Sequence, residues 1–216
     1  AASSGTLVLG GGGIHGDATW QTSDTGVLRL LGDHVVDGTV TSTTGQGVVE
    51  IGYPGEPAST VIADGGVLDN HGFVFQYGAM RVAAGGSLEN HSQLFLVADT
   101  LTIDEGGALT NQDSGNFQID GNGTIANGGN VVLFSGTVNG NGSYIQSGTG
   151  TTLIDSQAAI FLGQGSSYLQ VDGLTTVRGS LEAETVRFQA GELRGSGSIN
   201  ASVLQIDPGV LVSPGN

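Results

Sequence analysis

The chain repeats itself with a period near 20 residues. "GGVLDNHG" (65–72), "GGSLENHS" (85–92) and "GGALTNQD" (106–113) carry Leu68, Leu88 and Leu109 at spacings of 20 and 21. Asn70, Asn90 and Asn111 keep the same two spacings, and Phe75, Phe95 and Phe117 follow at 20 and 22. One turn of that length cannot bury its own apolar face, so successive turns must stack and cover one another. Such a period restricts the fold to a solenoid or a related repeat array.

The segments between the glycines alternate apolar and polar residues, as in "FVFQYG", "LFLVAD", "NFQIDG", "YLQVDG" and "VLQIDPG", and no window keeps a helical period. The fold expected is therefore all-β: a single-stranded parallel β-helix of about ten coils of roughly 20–22 residues, forming one solenoid domain over residues 1–216, either by itself or as a segment of a longer chain. Equivalent residues of adjacent coils would lie about 4.8 Å apart, making a rod of about 50 Å. Strand alternation sends Leu68 and Asn70 inward and Asp69 and His71 outward. The leucines, asparagines and phenylalanines then read as three structural ladders, each residue stacked on its like, while the Gly-Gly pairs supply positive φ at a sharp corner. "YPGEP" (53–57) interrupts the pattern and reads as a loop bulging from one corner.

Composition excludes several functions. Twenty acidic residues face only five basic ones, all arginine (Arg29, Arg81, Arg178, Arg187, Arg194), for a net charge of −15. Phosphate recognition needs clustered cations, so nucleic acid is not an expected partner. The absence of Cys removes disulfides, thiolate metal sites and thiol nucleophiles. No apolar run approaches the roughly 20 residues that span a bilayer, and membrane insertion is not expected. The opening "AASSG" is compatible with the small-residue end left by signal-peptide cleavage.

The final stretch, "GELRGSGSINASVLQIDPGVLVSPGN", resembles the repeats of bacterial surface-exported β-helix proteins, the autotransporter passenger and adhesin-like class. Gly191, Leu193, Gly195, Gly197, Ile199 and Asn200 fit the first part of that pattern, and Gly209, Leu211, Pro214, Gly215 and Asn216 the second. The resemblance implies a secreted or cell-surface solenoid that adheres, builds matrix or displays, without catalysis. Its partners would be itself, end to end or laterally, or host and matrix glycans or proteins. The alternative is a carbohydrate-binding or carbohydrate-cleaving β-helix.

Side-chain chemistry gives few sharp signals. Asp69 over Glu89 and His71 over His91 would form an outward His/carboxylate patch able to share a divalent transition metal. The next coil puts Thr110 and Gln112 there, so a plain solvated face is the preferred reading and no metal or other cofactor is expected. Calcium through dispersed carboxylates is a lesser alternative. "GGGGIHGDATW" (10–20) breaks the spacing of the calcium nonapeptide and reads as a glycine-rich loop. Glu182 and Glu184 share an outward face with Arg178 and Arg187 nearby, but no Lys exists to serve as a lyase base. Trp20, Tyr53, Tyr144 and Tyr168 would stack on sugars where exposed. The four N-x-S/T triplets, at Asn90, Asn122, Asn141 and Asn200, are read as coincidental.

Overall fold

A computed structural model of the protein describes residues 4–97, 99–120 and 123–215. The start of "AASSG", the triplet asparagine Asn122 and the last motif residue, Asn216, lie outside the described residues. The described chain contains 26 strands and no helix. All strand pairings between coils are parallel, and about ten coils stack into a three-sided β-solenoid. Each coil lays one strand on each side, as Phe73–Tyr77, Met80–Val82 and Ser87–Asn90 do in the middle of the stack. Later strands such as Asn130–Gly140 and Thr151–Leu162 run around a corner and serve two sides.

The Gly-Gly corners divide their work between the two glycines. Gly65, Gly85 and Gly106 have φ of 75°, 78° and 82°, the positive value that the third residue of a type II turn needs. The second glycine closes that turn, Gly66 N–H donating to Ala63 O at 2.9 Å. Its own need is space: a Cβ on Gly86 would sit 2.7 Å from the Ile62 carbonyl oxygen of the coil beneath. One glycine bends the chain and the other lets coils close up.

Leu68, Leu88 and Leu109 stack in direct register with no exposure, as do Asn70, Asn90 and Asn111. The phenylalanine ladder needs correction. Phe75 and Phe95 pair across coils and stack at 4.4 Å, but they face outward and are half-buried. Phe117 instead lies over Leu94, inside the core. The register step grows from 21 at Asn90–Asn111 to 23 at Gln93–Asn116, two extra residues being taken up at a corner where Asp113 adopts a φ of 57°. The Asn-to-Phe spacing lengthens by only one, which leaves Phe117 one position short of Phe95. A one-residue slip turns every side chain to the opposite face.

Coil length also varies more widely than the central repeats imply. Register advances by only 18 residues from Thr185 to Val203 and by 28 from Thr39 to Val67. The excess around the third coil is "YPGEP", where Tyr53 and Glu56 exchange backbone hydrogen bonds of 3.1 and 3.0 Å to close a tight hairpin at a corner. Pro54 and Gly55 form its tip, Gly55 with a φ of 95°. "GGGGIH" is likewise more regular than a loop, since Gly13–His15 is a strand paired with His34–Val36.

The interior is polar as well as apolar. Asn70 Nδ2 donates to Asn90 Oδ1 at 2.8 Å, and Asn90 Nδ2 donates to Asn111 Oδ1 at 2.7 Å. A second network, absent from the sequence reading, fills the later coils. Tyr144 and Tyr168 are fully buried, in register, and stacked at 4.9 Å. Their hydroxyls meet Thr152 Oγ1 at 2.6 Å and Thr175 Oγ1 at 2.7 Å, and these threonines donate to Gln146 and Gln170. Neither tyrosine, nor Trp20, is available to stack on a sugar, because all three belong to the core.

Burial pushes the Tyr168 phenol up to about 12 and raises Tyr144 as well, by desolvation against the hydrogen bonds that oppose it. The folded state holds these phenols neutral, whereas the unfolded chain ionises near pH 10. Their contribution is full below that pH and is lost as pH rises from about 10 to 12. Tyr168 alone represents on the order of 2–3 kcal/mol across that window. Absorbance at 295 nm is expected to show ionisation of two tyrosines only together with loss of the β signal in circular dichroism.

Candidate functional site

The corner following strands Val67–Asn70, Ser87–Asn90 and Ala108–Asn111 brings together the residues with the most chemistry. The asparagine ladder fixes that corner from within. Asn70 Oδ1 accepts from Gly72 N–H at 3.0 Å, Asn90 Nδ2 donates to Ser92 O at 3.2 Å, and Asn111 Nδ2 donates to Gly115 O at 2.8 Å. Backbone bonds continue the stack through His71, His91 and Gln112, whose N–H groups donate to Ser42 O, Asn70 O and Asn90 O. The buried amides thus hold the outward imidazoles in register.

His71 and His91 are stacked, with ring centroids 4.2 Å apart and planes within 15°. Asp69 Oδ1 lies 2.8 Å from His71 Nε2 and 3.5 Å from His91 Nε2. On its other side His91 Nδ1 meets Asp113 Oδ2 at 2.6 Å, and Gln112 Nε2 lies 2.9 Å from His91 Nε2. Of the four residues singled out in the sequence, the structure joins Asp69, His71 and His91; Glu89 stacks over Asp69 but stays outside the convergent set. Gln112 and Asp113, which seem to break the pattern, reach back to complete it.

A second histidine pair escaped the sequence reading. His15 Nε2 and His34 Nδ1 lie 2.9 Å apart, and the buried His34 Nε2 has no hydrogen-bond partner. Burial holds both imidazoles below their ordinary value, with Asp37 opposing the shift at His15 and the neighbouring His15 adding to it at His34. Their separation of 19 residues falls near the period, but His34 is two positions off register from His15, which pairs with Val36. Among the described residues, the Asp69/His71/His91 group is the one convergence of three His, Asp or Glu ligand atoms, so the remaining carboxylates are dispersed.

The other candidates are less organised. Glu182 and Glu184 border an open hollow of about 290 Å³ with Gln164 and Asn200, and Glu184 Oε2 accepts from Gly165 N–H at 2.5 Å. Arg178 and Arg187 do not face this pair; they lie 3.8 Å from Asp155 and 2.8 Å from Asp207 respectively. The outward aromatics are Phe73, Phe75, Tyr77, Phe95, Phe134 and Phe161, with Tyr53 on the hairpin under Arg29. Phe75 is stacked on Phe95, so one face of each of those two rings is already covered, whereas Phe134 and Phe161 are exposed and Phe161 lies in register with Glu182. Asn90 is buried in its ladder and inaccessible to a glycan.

This geometry defines a three-sided parallel β-solenoid carrying a histidine–carboxylate corner. Comparison with protein-family models, with characterised proteins and with solved structures returned no match.

Proposed function

We propose that this chain is a structural or adhesive β-solenoid segment, secreted or displayed on the surface of a bacterium, and that its coils associate end to end. The observation that carries the proposal is the uninterrupted ladder of core residues, which makes the stack a stiff rod and spends most of the sequence on holding it. The glycine pattern at Gly191, Gly195 and Gly209, all with positive φ, is that of the surface-exported class the final repeats resemble. Carboxylates on two sides, such as Glu50 and Asp69, and at corners, such as Asp64 and Asp104, keep such a rod soluble and repel anionic surfaces.

The terminal coils support axial association. Leu204, Ile206 and Val212 occupy inward registers over Val186, Phe188 and Leu193, yet their exposures are 51%, 43% and 45%. At the opposite end Leu7 and Leu9 occupy the registers of Leu28 and Leu30 and are also exposed. Each end of the described stack therefore presents an apolar cross-section beside open strand edges, the surface that templates further pairing. A parallel coil, from a second copy or from a longer polypeptide of which this is a segment, satisfies both needs. Sedimentation velocity of the 216-residue chain is expected to show species growing with concentration, and Leu204→Lys is expected to abolish them. A strict monomer at all concentrations would contradict the association, and growth unaffected by Leu204→Lys would move it away from the ends.

Carbohydrate binding or cleavage remains the alternative class. Glycans or proteins of a host or matrix are the partners an adhesive rod would meet along its sides, and the hollow beside Glu182 is the place where a glycan would enter.

A further inference from the structure

We infer that Asp69, His71 and His91 form a binding site for a divalent transition ion of the zinc class. The inference is independent of the rod's mechanical role. Three donor atoms of suitable type, one carboxylate oxygen and two imidazole nitrogens, lie within 4.8 Å of one another. Tetrahedral zinc with ligands at about 2.0–2.1 Å separates neighbouring donors by about 3.3 Å. The 2.8 and 3.5 Å separations of Asp69 Oδ1 from the two Nε2 atoms bracket that value, so small side-chain rotations suffice.

Two further features point to a cation here. Asp69 Oδ1 is buried and makes no hydrogen bond of proper geometry, although an anionic oxygen shielded from water normally has a donor. Asp113 at His91 Nδ1 supplies the outer carboxylate that metal-bound histidines use. With the proton fixed on Nδ1, the Nε2 lone pair faces the Asp69 oxygen, and two acceptors are left opposing each other. A cation between them turns that opposition into coordination. Gln112 Nε2, 2.9 Å from His91 Nε2, occupies the lone pair in the ion's absence and swings aside when it binds. His71 is 44% exposed at its side chain, which leaves an open fourth position for water. The surrounding Glu89 and the net charge of −15 raise the local cation concentration.

Titration of the intact chain with Zn²⁺, with Co²⁺ as a spectroscopic stand-in, tests this. One ion per chain at micromolar affinity is expected, with cobalt absorption characteristic of four-coordination and with Ca²⁺ failing to compete. His71→Ala and His91→Ala are each expected to weaken binding at least 10-fold. Asp113→Asn, acting through His91, should weaken it about 10-fold and also shift the cobalt spectrum. His15→Ala is expected to leave binding unchanged. The side chains of His71, His91 and Asp113 point outward from the core, so unaltered melting of their ion-free variants confirms that they fold. No binding up to millimolar Zn²⁺, or undiminished binding in the His71→Ala/His91→Ala double variant, overturns the inference.

Discussion

Replacing Asn90 by Asp is expected to destabilise the protein by about 3–5 kcal/mol at neutral pH, the range for an uncompensated buried charge. Asn90 has no exposure and sits in the middle of its ladder, accepting from Asn70 and donating to both Asn111 Oδ1 and Ser92 O. A carboxylate keeps the first bond but turns its other oxygen toward two acceptors. The introduced acid has its folded pKa raised above the unfolded value near 4, so the loss appears above that pH and is relieved below it. Asn90→Leu provides the contrast, because Leu133 already occupies this inward row one coil beyond Asn111. It removes hydrogen bonds without burying charge, for an expected cost of about 1–3 kcal/mol. Denaturant melts of the two variants at pH 4 and pH 7 read the difference directly. Equal losses at both pH values would mean that the ladder is filled volume and not hydrogen-bonded structure.

Gly140→Ala is the second large effect, expected at about 3–5 kcal/mol, where forced overpacking adds to backbone strain. Gly140 has a φ of 133° and stacks directly on Ile119. A Cβ there would lie 2.7 Å from the Ile119 carbonyl carbon and 3.0 Å from its amide nitrogen, and neither backbone atom can yield without opening the coil. Gly148 separates the two contributions: its φ is 58° but a Cβ would meet nothing within 4 Å. Gly148→Ala carries only the left-handed strain, about 1–2 kcal/mol. If both substitutions cost the same in thermal melts, close coil packing is not what demands glycine.

The contrast between those glycines also explains what was legible in the sequence. Where coils keep nearly equal length, as from Gly65 to Asn111, residue identity repeats in register and the leucine and asparagine ladders can be read outright. Two inserted residues at the Asp113 corner, against an Asn-to-Phe spacing longer by only one, defeat the same reading for Phe117, because a strand's two faces alternate and counting cannot show how many positions a turn absorbs. Tyr144 and Tyr168 sit in the matching words "SYIQ" and "SYLQ", but these are 24 residues apart, outside the period of the central coils, so a search at that period passes over their stacking. The histidine corner was half visible. Asp69, His71 and His91 follow from register, whereas Gln112 and Asp113 contribute by reaching back along the axis, and a ladder search reads them as departures. That the inward residues of the first and last described coils are leucine, isoleucine and valine rests on register where the repeat is weakest.

The most direct test of the structural role is electron microscopy of the purified chain over a range of protein concentrations. Rods about 50 Å long that join into filaments with an axial repeat near 50 Å as concentration rises are the predicted result. Isolated rods at every concentration would contradict end-to-end association, and compact particles without a long axis would contradict the rod itself.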